Sequence, residues 1–310
     1  MNWIRPKRVA LGMFVGLILS TTQLIPTSNA EHPTTTKKQE LAAAKLQQIG
    51  AAVEWDKSRE NVIRIQFNAE KNPANDDTFR LLSEFPELEE LYAFFVDVSD
   101  KGIQHIKELA RLRLVELVLI FKVTDKGVLE LTRLPRLEQV SLLLPNMTNT
   151  GLRHLANAKK LKRLGIYGSK VNDEGLKHLA KMPQLERLQL CIPELKGDGL
   201  AHLEKLQSLT HLSLGSSGIG DNALRFLKPL MQLQYLNISE TRITNDGLVH
   251  LTELKNLEHI VLDKTQVDDN GIEHLTSLKK LTRLDIRKTK ITPLGIAKLK
   301  QALPHCDVRN

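Results

Sequence analysis

The chain has 310 residues, 41% hydrophobic, 26% charged and only 4% aromatic, with 44 Lys+Arg against 36 Asp+Glu and two cysteines. That length admits one large domain or two ordinary ones, and the composition is globular but too poor in aromatics for a typical catalytic core. The positive balance is modest and no basic stripe with interleaved aromatics accompanies it, which argues against a nucleic-acid binder.

In chain order, Arg5, Lys7 and Arg8 precede an apolar run of 11 residues, Val9 to Leu19, and Ser28-Asn29-Ala30 sets small residues before a cut after Ala30. This is the pattern of a secretory signal peptide, assigned to residues 1–30. The run falls short of the roughly 20 residues that span a bilayer, so membrane attachment is expected only if the segment stays uncleaved. The predicted location is therefore exported: periplasmic, secreted or cell surface. Loss of the three basic residues leaves 41 Lys+Arg against 36 Asp+Glu, the balance of an ordinary solvated surface.

Residues 31–60 read as a linker and an N-terminal capping helix, the helix spanning Lys38 to Ala52. Asn61 to Phe67 (NVIRIQF) reads as a strand, opening a degenerate repeat over 61–87 through Phe79, Leu82 and Phe85. Self-similarity then becomes regular. Units begin at Leu88, Leu112, Leu137, Leu161, Leu185, Leu209, Leu233, Leu257 and Leu281, at intervals of 24 residues except the second, which is 25. The first, fourth and sixth places alternate as a short half-buried strand does. An apolar stripe follows at a spacing of three, as in Leu176, Leu179 and Met182, and predicts a short helix. One unit cannot bury both stripes, whereas stacked units share a continuous core. Residues 303–310, where Pro304 stops the last helix, read as a C-terminal cap.

The shared pattern, L-x-x-L-x-L-x-x-T-x-[IV]-T-D-x-G-L-x-H-L-x-x-L, resembles the leucine-rich repeat family, as in LQYLNISETRITNDGLVHL and LTRLDIRKTKITPLGIAKL. The resemblance is to exported bacterial repeat proteins and to the cysteine-containing subclass of F-box-associated proteins, which carry Cys where this chain has Thr241, Thr265 and Thr289. It implies an α/β solenoid: a right-handed superhelix with a parallel concave sheet and short convex helices. It also implies binding through the concave sheet.

Three columns of recurring residues could carry chemistry. Asp100, Asp125, Asp173, Asp221 and Asp269, with Asn149 and Asn245 in the same place, suggest a calcium ladder, but Asn alternates freely with Asp, so helix capping is expected. His105, His154, His178, His202, His250 and His274 precede a core Leu, and convergence of three or four on one metal ion is not expected. Their protonation is expected to lower stability below about pH 6. Cys191 and Cys306 lie four or more repeats apart, roughly 20 Å at about 4.8 Å per strand, too far for a disulfide. No nucleophile elbow, zinc-protease helix or phosphate loop is present, and no enzymatic activity, metal or cofactor is expected.

The third, fifth, seventh and eighth places of each unit face the concave side. They are Glu90, Tyr92, Phe94 and Phe95 in the first unit, Leu114, Glu116, Val118 and Leu119 in the second, and Gln139, Ser141, Leu143 and Leu144 in the third, with Tyr167 in the fourth. Toward the C-terminus these places turn polar, as in His211, Ser213, Tyr235, Asn237, Asp285, Arg287 and Lys288. The expected function is an exported, non-enzymatic scaffold binding a protein. Its apolar anchors are Tyr92, Phe94, Phe95, Val118, Leu119, Leu143, Leu144 and Tyr167, with Arg287 in a polar rim. Alternatives are a glycan or envelope-polymer module using Tyr235, Asn237, Asp263 and Arg287, and, more remotely, an F-box-like substrate adaptor. The helix Lys38 to Ala52 is a second possible cover for the apolar patch, which also explains the run Leu117 to Phe121.

Overall fold

The computed structural model describes residues 37–68 and 73–310; the signal segment read at 1–30 lies outside them. The first element is helix α1, Lys37–Gln48, which turns Ala42, Ala43 and Leu46 onto the core. Gly50 ends it in the left-handed region at φ 89°, where a glycine carries no Cβ penalty, while the Ala51 N–H donates to the Leu46 carbonyl at 3.0 Å. The sequence predicts helix as far as Ala52; instead a strand begins there. Strand β1, Ala52–Trp55, pairs antiparallel with β2, Val62–Phe67. The tight turn between them is closed by Asp56, which accepts from Ser58 Oγ, the Glu60 N–H and Asn61 Nδ2.

From β2 onward every pairing is parallel and follows chain order, forming one sheet of twelve strands among the described residues. The strands are β3 (Glu90–Phe94), β4 (Leu114–Val118), β5 (Gln139–Leu143), β6 (Arg163–Tyr167), β7 (Arg187–Cys191), β8 (His211–Ser213), β9 (Tyr235–Asn237), β10 (His259–Val261), β11 (Arg283–Asp285) and β12 (Asp307–Arg309). The fourth place of each unit is in register with the fourth of the next, Leu91 with Val115 and Leu188 with Leu212, so the inward rows form continuous columns. Those columns and the apolar stripes beyond them make one contiguous core, from Ala42 to Val308. Strands β3 to β7 run five residues and β8 to β11 three. The longer ones carry Phe94, Val118, Leu143, Tyr167 or Cys191 at the seventh place, where the shorter ones have Gly215, Ser239, Asp263 and Arg287.

The convex segments are short helices, and in three consecutive units they are 3₁₀ throughout: Asp173–Lys181, Asp198–Lys205 and Asp221–Leu227. The apolar spacing of three suits this geometry, because three residues make one 3₁₀ turn and stack on one face.

The aspartate column caps helices, as expected, but not its own. The local cap is the preceding residue: Ser99, Thr124, Thr148, Asn172, Thr244, Asp268 and Thr292 each accept from an N–H of the first turn. Each Asp or Asn reaches into the following repeat. Asp100 accepts from the Thr124 N–H at 2.8 Å, Thr124 Oγ1 at 2.7 Å and the Gly127 N–H at 2.9 Å. Asp125, Asp221 and Asp269 do the same for Thr148, Thr244 and Thr292. The conserved spacing of Gly follows, since a Cβ on Gly127 would lie 2.7 Å from Asp100 Oδ1 and one on Gly247 would lie 2.5 Å from Asp221 Oδ1. One junction is built in reverse. Gly197 replaces the Asp, at φ 113°, and Ala223 replaces the Gly, with its methyl 2.3 Å from where a Gly197 Cβ would stand.

At the C-terminus the helix Pro293–Ala302 ends before Pro304, and the tail adds β12 to the sheet rather than a covering loop. Asp307 and Arg309 point outward and pair at 2.6 Å, charging the edge against further strand addition.

Candidate partner-binding face

The seventh-place residues form a row across five strands, Phe94, Val118, Leu143, Tyr167 and Cys191, each in register with the next. Parallel strands lie about 4.8 Å apart, so bulky side chains in one row shield one another. Val118 is 2% exposed, Tyr167 4%, Phe94 7% and Leu143 9%. Gly165 makes room for this, since a Cβ there would meet the Tyr167 ring at 2.9 Å, and the Tyr167 hydroxyl donates to Gln189 Oε1. The open apolar patch expected from the sequence is thus largely closed. Leu144 belongs to the interior core, not to the sheet face, and does not take the left-handed backbone found at the same place in Phe95 and Leu119. Helix α1 is not the cover for this row; it packs against β1 and the turn Leu81–Glu84.

What stays exposed lies where the strands end. Phe95 and Leu119, at the eighth place, sit in the left-handed region at φ 57° and 56°. Their N–H groups continue the ladder to the Val118 and Leu143 carbonyls at 3.0 and 2.8 Å. For a residue with a Cβ this backbone costs about 1–2 kcal/mol, yet Ser216, Glu240, Lys264 and Lys288 share it. Phe95 is 40% exposed, and two residues beyond Leu119 stands Phe121, 62% exposed, in the unit that is one residue longer than the rest. Sequence reasoning did not place Phe121 at the site. Its signal was the insertion itself.

Acidic groups sit among these apolar rows. Glu90 is held by Arg64 Nε at 2.7 Å, by Arg113 Nη2 and by the Tyr92 hydroxyl at 2.9 Å. Burial raises its pKa, but the Arg64 and Tyr92 bonds and both guanidinium charges outweigh that and leave it lowered. Tyr92 is pushed up, by burial first and then by its bond to Glu90. Glu116, the partner of Tyr92 across β3 and β4, is 8% exposed and its Oε2 has no hydrogen-bond partner. Burial, helped by the Glu90 charge, pushes its pKa up to about 7.

The C-terminal half of the face carries an aromatic row that the sequence reading passed over. At the third place, the rings of His211 and Tyr235 stack with centroids 5.7 Å apart, and His259 meets Tyr235 edge-on at 4.9 Å. His259 Nε2 lies 2.6 Å from Asp285 Oδ2, and Arg283 Nε 3.0 Å from the same oxygen. Arg287 pairs with Asp263 at 2.7 Å, so this predicted rim residue is already engaged within the chain. Asn237 uses its Oδ1 to accept from the Ser239 N–H at 2.9 Å. Reading the third places downward, His-Tyr-His, was the available signal.

The histidine column is half-buried on the convex side, apart from an exposed His202. In this column the pKa of His178 is lowered, by burial first and then by Lys177, Lys181 and Arg153. Its share of stability is therefore present above the ordinary histidine pKa and lost as pH falls through the lowered value. Among the described residues no group of three or more His, Cys, Asp and Glu is placed to hold a metal ion. No described helix is long and apolar enough to cross a membrane. Cys191 and Cys306 are free and buried, and burial pushes both thiols up to about 11. In native protein at pH 8 neither should react with an aromatic disulfide reagent within minutes, and both should react at once in denaturant. Rapid labelling of the native chain would contradict the burial.

The leucine-rich repeat profile matches residues 205–228. No curated protein matches the sequence significantly. Among solved structures, the plant peptide hormone receptor RGFR1 in complex with RGF2 is similar over 83% of this chain and 40% of its own, at 15% identity and a TM-score of 0.51. An internalin from Listeria monocytogenes is similar over 88% of this chain and 94% of its own, at 20% identity and a TM-score of 0.48. The leucine-rich repeat protein LIC12759 of Leptospira interrogans is similar over 74% of each chain, at 14% identity and a TM-score of 0.44. With its leucine columns, the parallel pairing of its repeat strands and the matching repeat profile, the chain is a leucine-rich repeat protein.

Proposed function

We propose that this chain is an exported, non-enzymatic scaffold that binds a protein partner across the N-terminal half of its sheet face. The observation that carries the reading is the apolar rim where β3 and β4 end, with Phe95 and Phe121 exposed and Leu119 half-buried. Large apolar side chains left at a surface are what a binding site retains and a merely stable fold does not. The signal-like segment at 1–30 supports export. The lack of any nucleophile–base pair in the motifs supports a binding role, as does the similar fold of a receptor solved with RGF2.

The test is capture from extracts of the native host's envelope with wild-type protein and with Phe95→Asn/Phe121→Ser. Asn tolerates the left-handed backbone, so the fold is kept. Interface aromatics at hot spots are worth about 2 kcal/mol or more, so a partner of this face should bind the double variant at least about tenfold more weakly. Arg287→Ala should retain it. Equal capture by the double variant would refute the assignment of this rim.

A further inference from the structure

Every other carboxylate of the sheet face has a cation or a hydroxyl beside it. Glu90 has Arg64, Arg113 and Tyr92; Glu240 has Lys264 and Ser216; Asp263 has Arg287; Asp285 has His259 and Arg283. Glu116 has none. Among the described residues, buried side-chain polar atoms without a partner are Glu116 Oε2 and Gln39 Oε1, and Gln39 lies on α1. Leaving a buried charge unpaired is costly, and a leucine would satisfy the same place in the row.

The surroundings say what would complete it. On its own strand Glu116 lies between Leu114 and Val118, and across the sheet it is in register with Tyr92 and Ser141. The titratable groups near it are Glu90 and Tyr92 from β3 and Tyr167 from β6, while β5 offers only Ser141. The nearest cations, Arg64 and Arg113, are already bound to Glu90. We propose that Glu116 receives a lysine or arginine side chain of a protein partner, flanked in that partner by apolar residues that pack on Phe95, Leu119 and Phe121. The inference rests on the reading of this face as the partner surface and names the partner's chemistry. Without the partner the carboxyl is poised to ionise near neutral pH, so binding should strengthen as pH rises.

The test is selection of random displayed peptides on the full chain. Peptides whose binding is lost on Phe95→Asn/Phe121→Ser are kept as face-directed. They should carry Lys or Arg between apolar residues, and their synthetic forms should lose about tenfold or more in affinity on Glu116→Gln. Replacing the basic residue by norleucine should do the same. Affinity for wild-type should rise between pH 6 and 8 and stay flat for Glu116→Gln. Face-directed peptides without a basic residue, or with equal affinity for Glu116→Gln, would overturn the inference and leave the reading of the face intact. Recovery of no face-directed peptide would overturn both. So would a sedimentation dimer dissolved by Phe95→Asn, which would make a second copy of the chain the occupant.

Discussion

Glu116→Gln should make the free protein more stable above pH 7 and leave it unchanged below pH 4.5. The carboxyl has an ordinary value of 4.5 and is raised to about 7, chiefly by burial. A group raised in the folded state favours folding while protonated, so its contribution is full below 4.5 and disappears as pH climbs through about 7. The difference of the two values corresponds to about 3 kcal/mol. Gln is nearly the same shape and cannot ionise, so the variant keeps the packing of Leu114 and Val118 and drops only the titration. Denaturant unfolding of both proteins from pH 4.5 to 8.5 measures the gap. Two parallel curves would show that the carboxyl is solvated and that the unpartnered oxygen has no energetic meaning.

A second substitution should do the opposite. Gly199→Ala is expected to cost about 3 kcal/mol or more, at the upper end for an overpacked site. A Cβ there would lie 2.4 Å from the Asp173 carbonyl oxygen and 2.7 Å from its Cα, both main-chain atoms that cannot rotate away. It would also push apart the bonds by which Asp173 accepts from the Lys196, Gly197 and Gly199 N–H groups. Gly220→Ala is the control, because nothing lies within 4 Å of its Cβ direction; it should cost under about 1 kcal/mol as a change of cap residue. In a related pair, Asp100→Ala removes three bonds to the next repeat and should cost about 2–3 kcal/mol. Combined with Gly127→Ala it should cost clearly less than the sum, since the methyl then enters the space the carboxylate left. Equal costs for Gly199→Ala and Gly220→Ala in urea melts would remove the argument that the close approach of the Asp173 main chain dictates a glycine there.

The period of 24 was legible because leucine columns report burial directly, and they located the strands, the turns and the shared core. Strand β1 was not legible: AVEW is four residues long and follows a helix-forming run, with only Gly50 to separate them. The aspartate column was legible as a set of caps, but a column gives residue type and not direction, so its reach into the next repeat stayed hidden. The face was misjudged for a related reason. Alternation tells which side of a strand Val118 or Tyr167 takes, whereas its exposure is decided by side chains 24 residues away on the neighbouring strand. Leu144 was misplaced because a shared place in the repeat does not guarantee a shared backbone: Phe95 and Leu119 are left-handed there and Leu144 is not. Phe121 was overlooked because it fits no column at all.

The reversed junction at Gly197 and Ala223 has a consequence for how such an array can grow. Between the other regular units a copied unit would fit, because each brings an Asp or Asn for the unit after it and a glycine for the unit before. A copy of the unit starting at Leu161 inserted ahead of Ala223 would drive its Asp into that methyl, and one starting at Leu185 inserted earlier would bring a left-handed Gly197 against a bare glycine. The fifth and sixth units therefore travel together as one heritable block, while their neighbours remain free to be duplicated or lost singly.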